Sequence, residues 1–89
     1  MKKELDEDYE IIVDNMQSID ETPKKGGFKV SKEKFYNKKG KTVKMNVLRL
    51  ESDDSIKQIF SMKDGLFVLE VEKDGNIDYY YSKDINDLI

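Results

Sequence analysis

The chain has 89 residues and a formal net charge of −3, with 39 % charged and 37 % apolar residues. It contains no Cys and no His, which excludes a disulfide framework and the ordinary zinc, haem and iron–sulfur centres, and removes the usual neutral-pH bases and nucleophiles. A single domain of this size has little interior to spare for a deep substrate pocket, and no apolar run approaches a membrane span.

The N-terminus turns acidic at Glu4 and Asp6, where a secretory leader would turn apolar, so the expectation is a soluble cytoplasmic protein. Leu5, Tyr9, Ile12, Met16 and Ile19 recur at spacings of four and three, the stripe of an amphipathic helix over residues 3–19. Asp6, Glu7 and Asp8 suit the positive end of its dipole, and Pro23 ends it. A linker over 20–27 follows.

Phe28 and Val30 alternate with Lys29 and Ser31, predicting a strand over 28–36. Asn37 to Gly40 has turn chemistry, and a second strand over 42–50 completes a hairpin. Val43, Met45 and Val47 share one face while Leu48 and Leu50 take the other. That phase switch predicts either a bulge near Val47 and Leu48 or a strand covered on both sides.

Residues 52–65 admit a helix, with Ile56, Ile59 and Phe60 on one stripe, or a strand closed by a turn at Asp64–Gly65. The strand reading follows from register. A two-residue turn there sets Met62 opposite Phe67 and Phe60 opposite Leu69, and a five-residue loop over 72–76 sets Val71 opposite Ile77. One face then gathers Phe60, Met62, Phe67, Leu69, Val71, Ile77, Tyr79 and Tyr81. Strands are thus predicted over 56–62, 66–72 and 77–81, with a short helix over 83–89 capped by Ser82. The predicted class is α+β: an N-terminal amphipathic helix packed on an antiparallel meander of about five strands, with a short C-terminal helix, in a single domain over 1–89.

Charge runs in blocks. Residues 1–23 hold two Lys against eight acids, residues 24–44 nine Lys against Glu33 alone, and residues 45–89 five bases against ten acids. Arg49 is the only arginine. Lysine suits phosphate as a point charge, whereas bidentate base reading wants arginine. The same bias also arises in AT-rich genomes.

Three motifs carry ordinary readings. Asp74 to Asp78 opens like a calcium loop, but the required Gly and Glu are replaced by Tyr79 and Ile85, so it reads as a hairpin turn. Ser31 and Lys34 match a Ser-x-x-Lys pattern whose partners must share a helix face, and on a strand they point apart. The acid pairs Asp53–Asp54, Glu70/Glu72 and Asp84/Asp87 read as a solvated face.

These features predict a small non-enzymatic binding protein without a cofactor, docking on a larger protein partner. One concrete form is an inhibitor of a nucleic-acid-processing or defence enzyme, encoded by a phage or mobile element and acting in the cytoplasm of a bacterial host. Its acidic and aromatic contacts would be Asp6, Glu10, Asp14, Asp78, Tyr80 and Asp84. The alternative is direct nucleic-acid binding through the lysine-rich hairpin 24–44, with Lys29, Lys38, Lys39, Lys41, Lys44 and Tyr36 as the contacts.

Overall fold

The computed structural model describes residues 15–36 and 39–89. Six strands follow in chain order: β1 (Met16–Gln17), β2 (Lys29–Tyr36), β3 (Thr42–Glu51), β4 (Ser55–Met62), β5 (Phe67–Lys73) and β6 (Asn76–Ser82), and then a 3-10 turn over Ile85–Asp87. β2 to β6 form an antiparallel meander in sequence order, and β1 pairs with β4. The described part of the chain is therefore mostly antiparallel β-sheet, and this corrects the α+β expectation. Residues 52–65, open to two readings, contain a strand.

The correction begins at the N-terminal element. Met16 and Gln17 pair with Met62 and Ser61 instead of closing the helix predicted over 3–19, whose first twelve residues lie outside the described ones. Met16 packs in one core cluster and Ile19 against another, so a single helical stripe does not hold them. The cause lies in the sheet. β3 and β4 stay paired only over Leu48–Glu51 and Ile56–Ile59, which leaves the backbone groups of Asn46 and of the end of β4 in need of partners. Residues 15–19 supply them: Ile19 N donates to Asn46 O at 3.0 Å, Asn46 N to Ser18 Oγ at 3.2 Å, and Lys63 N to Asn15 O at 2.7 Å. Supplying these backbone partners outweighs a local helix preference of a few tenths of a kcal/mol per residue, about what propensity scales allow.

The second correction concerns register. Met62 N donates to Leu66 O at 2.8 Å and Gly65 N to Met62 O at 3.0 Å, so the β4–β5 loop has three residues, Lys63 to Gly65. Gly65 takes a φ of +89°, the left-handed position that ends such loops. The two-residue turn is instead at Asp74–Gly75, where φ is +53° and +78°, the mirror-image geometry that an Asp-Gly pair favours. The first loop is one residue longer than predicted and the second three residues shorter, and each pairing shifts by one residue. Phe60 therefore faces Val68, Ile59 faces Leu69, and Leu69 faces Tyr80. The predicted common face is split between the two sides of the sheet.

The first face carries Met16, Phe35, Val47, Phe60, Met62 and Val68. The second carries Leu48, Ile59 and Leu69, joined by Phe28. Val47 and Leu48 are both fully buried in a β2–β3 register that runs unbroken from Lys29–Arg49 to Tyr36–Thr42. There is no bulge; the strand is covered on both sides.

The C-terminal segment crosses the second face, where Ile85, Leu88 and Ile89 pack on that cluster. The helix predicted over 83–89 reduces to a single 3-10 turn capped by Asp84, whose Oδ1 accepts from Asn86 N at 3.0 Å. Ser82 does not cap it; its Oγ accepts from Asp84 N and donates to Asp87 Oδ2 at 2.7 Å. Three residues give too few bonds to repay helix nucleation, so the turn does not propagate.

Candidate functional site: the outer face of the lysine hairpin

Antiparallel pairing sends successive turns to opposite ends of the sheet, and this sorts the charge. The Asp53–Asp54 and Asp74–Gly75 turns share one end, where Asp53, Asp54, Glu72, Lys73 and Asp74 line an open depression. Lys73 Nζ lies 3.6 Å from Asp54 there. The β2–β3 turn, with Lys39 and Lys41 exposed beside it, is at the other end. Asp53, Asp54, Glu72 and Asp74 thus lie at the opposite end of the described sheet from Lys39 and Lys41.

Alternation then sorts the hairpin itself. Odd-numbered residues of β2 and β3 lie on the first face: Glu33, Phe35, Val43, Met45 and Val47 turn inward, and Phe35 meets Phe60 edge-on at 6.0 Å. Even-numbered residues lie on the second face, where Lys32, Lys34, Tyr36 and Lys44 are all exposed. Register sets Lys34 directly opposite Lys44, Lys32 opposite Asn46 and Tyr36 opposite Thr42. The Lys34 ammonium lies 6.0 Å from the centre of the Tyr36 ring, and Tyr36 is 55 % exposed. Two lysines directly opposed across a ladder repel each other. The only acid of β2, Glu33, is on the other face, beside Arg49 and accepting from Ser31 Oγ. Ion pairs among the described residues employ Arg49 and Lys73 and none of these three lysines.

The lone arginine is committed elsewhere. Arg49 lies 3.9 Å from Glu33, donates from Nε to Glu51 at 2.8 Å and from Nη1 to Gln58 at 3.4 Å. Gln58 Nε2 donates to Glu70 at 3.0 Å, and Tyr79 Oη donates to the same carboxylate at 3.3 Å. Arg49, Gln58, Glu70 and Tyr79 are consecutive cross-strand partners, so they form a polar row across the first face from β3 to β6. Burial pushes the Glu70 carboxyl above its ordinary value; hydrogen bonds from Gln58 and Tyr79 pull against this, Glu72 adds to it, and Arg49 opposes it.

Because folded Glu70 holds its proton more tightly than the unfolded chain does, protonation favours the fold. The stabilisation is fully present below the ordinary 4.5 and is lost as pH rises through the raised folded value. Glu70→Gln removes that dependence. The stability of the wild type relative to this variant, from urea unfolding at stepped pH, should rise as pH falls from 7 to 4. Parallel pH profiles would mean that Glu70 is solvated.

The predicted contacts fall in separate places. Tyr36 and Lys44 share the outer hairpin face, whereas Lys29 pairs with Arg49 on the opposite one; Lys39 and Lys41 flank the hairpin turn; Lys38 is outside the described residues. Asp78 and Tyr80 share the second face of β6, a sheet-edge strand, with Tyr80 52 % exposed. The Asp84 carboxylate is taken up by Asn86, whose Nδ2 also donates to it at 3.1 Å. Asp6, Glu10 and Asp14 are outside the described residues. Lys32 and Lys34 were not among the predicted contacts. Their signal was the same two-residue alternation that reaches Tyr36.

No protein-family model matches the chain, and no curated protein or solved structure matches it. Among the described residues, no helix is long and apolar enough to cross a membrane.

Proposed function

We propose that this protein is a small non-enzymatic docking module that grips a larger anionic partner with the outer face of its β2–β3 hairpin. The observation that carries this reading is the Lys34–Lys44 pair, with Lys32 alongside and, among the described residues of β2 and β3, no acid on that face. Repulsion between opposed ammonium groups costs stability in the free protein and is relieved when an anion sits between them. A fold that keeps such a pair beside an exposed tyrosine is arranged for a ligand rather than for its own stability. The acidic opposite end orients the approach, because a polyanion is repelled there and attracted at the hairpin.

Retention on immobilised heparin at low salt tests this. Despite a sequence pI of about 5.0, the wild type should be retained, and Lys32→Glu/Lys34→Glu should flow through. That variant faces Lys44 with a carboxylate, so its thermal midpoint should hold or rise, which separates lost binding from lost folding. A wild-type protein that flows through at low salt would end the proposal.

A further inference from the structure

Resting on that reading, we infer that the anionic partner is a single strand of nucleic acid, laid along the outer face of the hairpin with a base stacked on Tyr36. Three features of the face point to this chemistry rather than to an acidic protein or a duplex. The first is the combination of groups. Lys32, Lys34 and Lys44 supply compact cationic charge that suits phosphate, and Tyr36 supplies an accessible ring at the end of the same row. Every base has a face that can stack on such a ring, so the pairing of lysine with an exposed aromatic ring serves a single strand whatever its sequence.

The second feature is shape. Residues two apart on a strand are separated by about 6.8 Å, and directly opposed partners by about 5 Å. Lys32, Lys34 and Tyr36 thus form a regular row along β2, with Lys44 and Thr42 in a parallel row on β3. Such a flat, narrow strip follows one extended backbone. A duplex would need a broader cationic surface, and the acidic turns at the far end of the sheet stand against that.

The third feature is what the strip omits. Base edges are read by Arg, Asn or Gln aimed into a groove. Arg49 and Gln58 are instead hydrogen-bonded to each other on the opposite side of the sheet, which leaves Asn46, opposite Lys32, as the one such residue of β2 and β3 on this face. Recognition is therefore of backbone charge and base surface, with little sequence preference.

Fluorescence anisotropy of a labelled oligothymidylate of about 15 nucleotides provides the test, with the full chain as titrant and unlabelled duplex and polyglutamate as competitors. Binding is expected to weaken with salt along a log–log slope of about −2, as three phosphate contacts to a single strand require. Tyr36→Ala should weaken it about tenfold, Tyr36→Phe should keep it, and Lys32→Glu/Lys34→Glu should abolish it. Stronger competition by duplex or by polyglutamate than by unlabelled single strand overturns the inference. So does full affinity in Tyr36→Ala, which would mean contact through charge alone. If the oligonucleotide fails to bind while heparin is retained through Lys32 and Lys34, this inference falls and the docking reading stands; if neither binds, both fall.

Discussion

Replacing Phe60 by alanine should cost about 3–5 kcal/mol of folding stability, the range for emptying a buried aromatic site. Phe60 is 1 % exposed and is central to the first-face cluster of Met16, Phe35, Val47, Met62 and Val68. Its ring also joins two parts of the sheet. β3 and β4 are paired over only four residues each, so the distal half of the β2–β3 hairpin is joined to β4 through residues 15–19 and through side chains. The edge-on contact between Phe35 and Phe60, at 84° between ring planes, is part of that attachment. A domain of this length has roughly 4–13 kcal/mol of total stability, so the variant should be close to unfolding in buffer. Urea unfolding followed by fluorescence of the tyrosines should show the midpoint falling at a nearly constant slope. A loss below about 1 kcal/mol would mean that the hairpin does not pack on β4 as described.

The second large effect is expected from the C-terminal segment. Ile85, Leu88 and Ile89 are only partly buried, yet they lie over Leu48, Ile59 and Leu69, which would otherwise face water. The segment starts beyond β6 and reaches the chain just before β2. A Cβ on Gly26 would sit 3.2 Å from the Cβ of Ile89, so the two ends of the sheet meet at a close contact that glycine permits. Changing all three residues to serine removes about 1 kcal/mol or more of burial at each site and uncovers the apolar floor beneath. A combined loss of about 3–4 kcal/mol is expected, together with increased binding of a hydrophobic dye. Without the dye signal, the second face would have to be covered by something else. Because these residues and Phe60 pack on opposite sides of the sheet, their effects should add within about 0.5 kcal/mol, measured in a background stable enough to carry both changes.

The strands after residue 28 were legible in the sequence where Val30, Val43 and Met45 alternate with polar neighbours, a pattern that survives any choice of register. The observed strands begin and end within about a residue of the predicted ranges. Register itself was not legible. Asp64–Gly65 and Asp74–Gly75 offer the same dipeptide, and nothing local says which closes a two-residue loop and which ends a three-residue one. A one-residue shift in the β4–β5 pairing puts Phe67, Leu69 and Val71 on the face opposite Phe60. The N-terminal reading failed for another reason. Met16 and Ile19 obey helical spacing, but the divergence of β3 from β4 creates unpaired ladder groups that only the assembled sheet reveals. Of the binding residues, Tyr36 and Lys44 could be found from composition, and alternation along β2 puts Lys32 and Lys34 on the side of Tyr36, whereas only the hairpin register sets Lys44 opposite Lys34.

Residue chemistry alone determined that this protein lacks histidine and thiol chemistry, that nine of its fifteen lysines fall within residues 24–44, and that its chain alternates in the manner of half-buried strands. Those properties follow from which side chains are present and from the two-residue period of an extended backbone. Only the tertiary structure decided which lysines stand together, because side chains reach a common surface through pairing across strands. The same pairing placed Arg49 in the polar row on one side and left Lys32, Lys34 and Lys44 facing solvent on the other.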